Sequence, residues 1–208
     1  RKDFTVESYF GTPVFFGQIP EYVVPLNKLM DKYIKNAKKN IQSTFKERDK
    51  FYKRKLGDFG LSNHSVSINH DPEVKNFADF CGNCSYDFLD WSGFDLKNYK
   101  LHYTEMWVQE FSRKGGGHHN SHIHWNTHVT GFYFLKASEK TSMPVLHDPR
   151  QGAMMTKLPQ KDGIKVTHAN EAVHYKVKPG SMVIIPGYAP HEYPVDLGIE
   201  SFRFIHWN

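Results

Sequence analysis

The chain has 208 residues, 39% of them hydrophobic, 15% aromatic and 24% charged, with 27 Lys and Arg against 22 Asp and Glu for a formal net charge of +5. That length suits one ordinary domain, 1–208, with a real core and one site, and the composition excludes a disordered or low-complexity chain. No run reaches the roughly 18 apolar residues of a membrane span and the first residues, Arg1-Lys2-Asp3-Phe4, lack the apolar stretch of a signal peptide, so no membrane partner and a cytoplasmic setting are expected.

Taken in chain order, Tyr9 to Phe16 is a short apolar run punctuated by Gly11 and Pro13, which suits an edge strand. From Leu26 to about Phe45, apolar residues at Leu26, Leu29, Met30, Tyr33, Ile34, Ala37 and Ile41 recur at helical spacing with lysines between them. The basic excess of Lys28 to Lys55 is then a solvated helical face, and nucleic acid is not indicated. A polar connection over Gly57 to Asn63 follows, and Asp71-Pro72-Glu73 opens a second helix through about Trp91. The only cysteines, Cys81 and Cys84, fall on the apolar stripe of that helix, where free Cys behaves as a small hydrophobe.

Past Asp95 the texture changes to short Val-, Ile-, Phe- and Tyr-rich runs between Gly, Pro and Asn clusters. Strands are expected at Met106 to Ser112, Thr127 to Leu135, Val145 to His147, Ile164 to Thr167, His174 to Val177, Met182 to Ile185 and Ser201 to Trp207. Such spacing without intervening helices predicts an antiparallel jelly roll or barrel. The expected architecture is mainly β (α+β): a helical part over about 1–95 packed on a jelly-roll core over about 96–208.

Five of the thirteen histidines, His118, His119, His122, His124 and His128, lie within eleven residues just after Gly115-Gly116-Gly117. In an extended strand His122 and His124 would project the same way, about 6.6 Å apart, close enough to converge on one metal, whereas His128 would lie about 20 Å from His122, out of reach of a shared ion. Read alone, the cluster is equally a polar loop rich in histidine or an adventitious metal-binding tract. Downstream, Lys178-Pro179-Gly180 turns into a buried strand, Gly187-Tyr188-Ala189-Pro190-His191 presents a further histidine, and Ser201 to Trp207 carries Arg203 among aromatics. An isolated Arg in an apolar strand needs an anionic partner, and its planar guanidinium suits a carboxylate.

The order His122-x-His124, Thr130-Gly131-Phe132-Tyr133-Phe134-Leu135, Asp148-Pro149-Arg150, Pro179-Gly180-Ser181, His191 and Arg203 resembles the 2-oxoglutarate/Fe(II)-dependent oxygenase superfamily. More narrowly it is similar to a branch of small oxygenases of bacteria and tailed phages, a likeness to which Phe10-Gly11-Thr12-Pro13-Val14 and Asn63-His64-Ser65 also contribute. The resemblance implies a double-stranded β-helix, cupin-like in form, with Fe(II) and 2-oxoglutarate as cofactors. It implies that His122, His124 and His191 hold the iron and that Arg203 pairs with the far carboxylate of 2-oxoglutarate. Oxidative decarboxylation to succinate and CO2 would then accompany hydroxylation of a small molecule or a peptidyl residue. The sequence departs from the superfamily at two places: position 124 is His rather than Asp or Glu, and Ile205 stands two positions after the arginine where relatives often carry a hydroxyl. Asp148 is then an alternative metal carboxylate, opposed by its place in a turn before Pro149, and Tyr103, Gln109 or Tyr133 would take over the missing cosubstrate contact. Trp107, Trp125, Tyr133 and Tyr188 are candidate pocket walls. Two rivals stand beside this reading: a cupin-like three-histidine metalloprotein without 2-oxoglutarate, and a noncatalytic binding or virion-associated module. A homodimer is compatible with all three.

Overall fold

A computed structural model describes residues 4–150, Gly152 and 158–208. Strand β1 (Phe15–Gln18) leads through a short 3-10 turn at Pro20–Tyr22 into helix α1 (Val23–Asn40). Helix α2 (Gln42–Phe51), strand β2 (Ser62–His64) and helix α3 (Lys75–Trp91) complete the N-terminal part. The rest is β3 (Met106–Phe111), β4 (His119–His122), β5 (Val129–Lys136), β6 (Val145–His147), β7 (Ala172–His174), β8 (Ser181–Pro186), β9 (His191–Tyr193) and β10 (Arg203–Trp207). Every pairing is antiparallel, in a six-stranded sheet ordered β1-β8-β5-β10-β3-β2 and a four-stranded sheet ordered β4-β9-β6-β7. This is the jelly-roll, double-stranded β-helix architecture with helices added.

Side-chain alternation along the strands divides the large sheet into two buried faces. On the outer face, Val108, Tyr133, Met182, Ile205 and Trp207 pack against the apolar stripes of α1 and α3. Those stripes are the periodicities seen in the sequence, Leu26, Met30 and Ile34 on α1 and Phe77, Cys81 and Phe88 on α3. On the inner face, Phe111, Phe132, Phe134 and Phe204 meet Tyr193 and Leu146 of the small sheet. Burying an aromatic or aliphatic side chain contributes about 1.5–3 kcal/mol, so both layers add substantially to stability.

Several expected elements shift. The first strand lies at Phe15–Gln18, later than the Tyr9 to Phe16 run, and is an edge strand as expected. The first helix is interrupted at Ile41, where α2 starts. Ile164 to Thr167 forms no strand, its Ile164 being almost fully exposed, and the expected strand at His174 to Val177 lies earlier, at Ala172–His174. Strands β2, β4 and β9, of three, four and three residues, were not anticipated. Their side chains are largely polar, and pairing with a neighbour rather than intrinsic β preference makes them strands. Among the described residues no helix is long and apolar enough to cross a membrane.

Candidate metal centre

His122 ends β4 and His191 begins β9, and the register sets them directly opposite each other. Facing residues of an antiparallel pair have Cβ atoms about 5 Å apart, which accounts for ring centroids separated by 4.5 Å. His124 lies beyond the end of β4, so it does not join them by strand alternation as expected. Its backbone N–H donates to Gly187 O at 3.0 Å, and Gly187 N–H donates to His128 O at 3.1 Å, which ties the His124 loop to the loop leading into His191. A Cβ on Gly187 would stand 2.3 Å from Thr127 O, so the close approach of the two loops requires glycine here. His124 Nε2 consequently lies 3.3 Å from His191 Nε2. Donors on one ion at about 2.1 Å lie about 3 Å apart when adjacent, so this separation suits a shared cation.

The hydrogen bonds select ligating tautomers. His191 Nδ1 donates to Ala189 O at 3.0 Å and His122 Nδ1 to Asn120 O at 2.7 Å. A carbonyl only accepts, so each Nδ1 carries the proton and each Nε2 offers a lone pair. His191 is 3% exposed. Burial, followed by the neighbouring His191 and His122, pushes His124 down to about 3. Burial brings His191 down to about 4 against the opposing Ala189 hydrogen bond, and both rings are neutral, as a metal ligand must be, at ordinary pH. The ligand atoms of His122, His124 and His191 all lie within 4.8 Å of one another, a set that fits Fe(II).

The other expected contacts lie elsewhere. Arg203 points from β10 to the outer face, away from the histidines. There its Nε and Nη2 bond Glu110 Oε2 at 2.8 and 2.6 Å, and its Nη1 bonds Asp31 Oδ1 at 2.7 Å. Its anionic partner is thus supplied by the protein, and the expected anchor for the far carboxylate of 2-oxoglutarate does not fit. Tyr133 and Tyr103 are on the same outer side, with hydroxyls donating to Ile19 O at 2.5 Å and to Ala78 O. Asp148 forms a two-pronged pair with Arg150, at 2.9 and 2.6 Å, and belongs to neither histidine group that could hold a metal. Of the expected walls, Trp107 lies tilted against His206 at 4.4 Å, Tyr188 lines a surface groove of about 630 Å³ with Trp91 and Phe94, and Trp125 is exposed.

The inner wall is occupied instead by Gln109, one of the side chains expected to contact the cosubstrate, and by His206 and Asn208, which the sequence does not single out. His206 stacks on His124 at 4.8 Å, Gln109 contacts His119, and Asn208 Nδ2 lies 2.9 Å from His124 Nδ1. The alternation Phe204, His206 opposite to Arg203, Ile205 was the signal that could have found His206. Among the described residues no hydrogen bond or ion pair brings a Lys or Arg to the three histidines.

Residues 105–199 match a family described as "Putative 2OG-Fe(II) oxygenase". No curated protein matches the sequence. Among solved structures, a protein titled AviO1 from Streptomyces viridochromogenes Tue57 is similar with a TM-score of 0.50 and 13% identity over 83% of this chain and 81% of that one. A 2OG-Fe(II) oxygenase family oxidoreductase from Burkholderia pseudomallei has a TM-score of 0.44 at 10% identity, over 65% of this chain and 55% of its own. A prolyl hydroxylase from Trichoplax adhaerens, solved with a hypoxia inducible factor peptide fragment, has a TM-score of 0.46 at 14% identity, over 74% and 65%. This chain therefore spans little more than half the length of the Burkholderia protein. The motif order, the jelly roll and the match over residues 105–199, a little under half of the chain, point the same way: this stretch is similar to the 2-oxoglutarate/Fe(II)-dependent oxygenase family.

Proposed function

We propose that this chain is an Fe(II)- and 2-oxoglutarate-dependent oxygenase whose metal is held by His122, His124 and His191, acting on a small molecule or a peptidyl residue. The observation that carries this reading is the convergence of the three imidazoles, two of them with Nδ1 tied to a backbone carbonyl. With both cofactors bound, such a centre couples decarboxylation of 2-oxoglutarate, to succinate and CO2, with hydroxylation of the substrate. The protein's own contribution is placement. The β4–β9 pairing and the Gly187 staple orient the ligands, and Phe132, Phe204 and Tyr193 keep the inner side dry. Gln109, His119 and His206 on the inner wall, rather than Arg203, would be the side chains available to hold 2-oxoglutarate. The same proposal sets the protein in the cytoplasm and admits a homodimer, which sedimentation would report.

Because Arg203 is already paired, a three-histidine centre working without 2-oxoglutarate is the second reading. The test is anaerobic addition of Fe(II) and then 2-oxoglutarate to the metal-free protein, following the visible charge-transfer band of the chelate. The expected result is a band in the wild type that is lost in His122→Ala and His191→Ala. Iron binding without a band would select the second reading, and absence of iron binding would return the chain to a noncatalytic module.

A further inference from the structure

The inner wall holds a polar side chain that no described residue satisfies. His206 is 2% exposed, and among the described residues neither Nδ1 nor Nε2 has a hydrogen-bond partner. A buried donor or acceptor left without a partner is destabilising, and such groups are rare in folded proteins. The ring is held by stacking on His124 at 4.8 Å and by tilted contacts with Trp107 at 4.4 Å and Phe132 at 5.0 Å, so it cannot readily turn away to find water.

A carboxylate completes the surroundings. Ligand atoms of Glu105, His124 and His206 all lie within 4.8 Å of one another. Ligands on one ion at about 2.1 Å lie about 3 to 4.2 Å apart, so side-chain shifts of up to about 1 Å close this set on a cation. Glu105 is fixed by backbone bonds linking its neighbourhood to the chain's last residue, Asn208 N to Glu105 O and Thr104 N to Asn208 O, both 3.0 Å. The Asn208 side-chain amide donates to Glu105 and lies 2.9 Å from His124 Nδ1, while its Oδ1 accepts from Thr130 at 2.8 Å. An amide N–H₂ aimed at both a carboxylate oxygen and an imidazole nitrogen marks a place of negative potential, where a positive ion is favoured. His124 therefore has two differently occupied edges, Nε2 toward His191 and Nδ1 toward Asn208.

We propose that Glu105, His124 and His206 form a second binding site for a divalent transition-metal cation, next to the three-histidine site and sharing His124 with it; with both ions bound His124 bridges them as an imidazolate, its ring proton released to solvent. The donor set, two imidazoles and one carboxylate, is the kind that such ions accept. It also supplies the carboxylate that position 124 lacks. The inference rests on the three-histidine reading only for the identity of the neighbouring site.

The experiment is metal stoichiometry of the full chain, by Co(II) titration with absorption spectra and by elemental analysis after dialysis. The expected result is two equivalents in the wild type and one in Glu105→Gln and in His206→Phe, the latter keeping a stacked aromatic ring in place. A His122→Ala/His191→Ala double variant should retain one equivalent, and adding Glu105→Gln should remove it. One equivalent in the wild type, or a stoichiometry unmoved by Glu105→Gln, overturns the second site. If that single equivalent disappears with His191→Ala, the three-histidine site stands alone. If the double variant keeps an ion that Glu105→Gln removes while losing the 2-oxoglutarate band, the second site stands and the two readings separate. Glu105 is only half-buried, so its variant keeps the test decisive should His206→Phe fail to fold.

Discussion

The two faces of the six-stranded sheet both bury polar side chains, and they treat them in opposite ways. On the outer face, Arg203 is 4% exposed and its donors are taken up by Glu110, Asp31 and the Asn27 carbonyl, while Lys38 reaches the second oxygen of Glu110 at 2.6 Å. On the inner face, His206 is as deeply buried and has no hydrogen-bond partner among the described residues, and the Nε2 of His191 faces the Nε2 of His124 at 3.3 Å. A saturated charge network locks one packing arrangement, here α1 onto the sheet. An unsaturated cluster of neutral donors is poised for a ligand. The difference separates a structural arginine, Arg203, from an unsatisfied histidine, His206, three positions later on the same strand.

Arg203→Met gives the sharpest break between the faces. It leaves Glu110, 5% exposed, with Lys38 as its only paired cation among the described residues, and breaking a buried pair by removing one partner costs about 3–5 kcal/mol. Urea denaturation should show that loss while Fe(II) affinity and the chelate band stay as in the wild type; intact stability with a lost band would move Arg203 back to the cosubstrate. The same network sets an acid limit. Burial pushes the Glu110 carboxyl up, but the Lys38 hydrogen bond and the Arg203 charge outweigh it and hold it below 4.5. The hydrogen bond from Arg203 likewise holds Asp31 below 3.8. The unfolded carboxylates take up protons first as pH falls, so stability present above about pH 4.5 is lost below it, and Arg203→Met should flatten that part of the melting profile.

Gly187→Ala acts on the inner face through backbone. The new Cβ meets a carbonyl that cannot swing aside, so the loops bearing His124 and His191 must part. Overpacking costs about 1–3 kcal/mol, and Fe(II) affinity should fall about 10–100-fold, as for other disturbances of the groups that hold metal ligands. Calorimetric Fe(II) titration checks this, and unchanged affinity would mean that the staple does not position His124. Asp148→Asn is the mildest. It removes a pair whose Arg150 partner is half exposed, and stability should change by less than about 1 kcal/mol with no change in metal stoichiometry.

By itself the sequence determined the helical stripes of α1 and α3, most of the longer strands, a family resemblance, and His122, His124 and His191 as the metal set to propose. Each is a local signal: a period of 3.6 or 2, a turn at Gly or Pro, or histidines near in the chain. It also required an anion for Arg203, but not which one. That choice, like the placement of Tyr103 and Tyr133 on the helix-packed side, belonged to strand parity and cross-strand register, which set Arg203 beside Glu110 and His122 opposite His191. Glu105, His206 and Asn208 join His124 only through pairing between segments some 80 to 100 positions apart. Only tertiary structure decided what those residues meet, because the face on which a side chain emerges depends on which neighbours its strand finds.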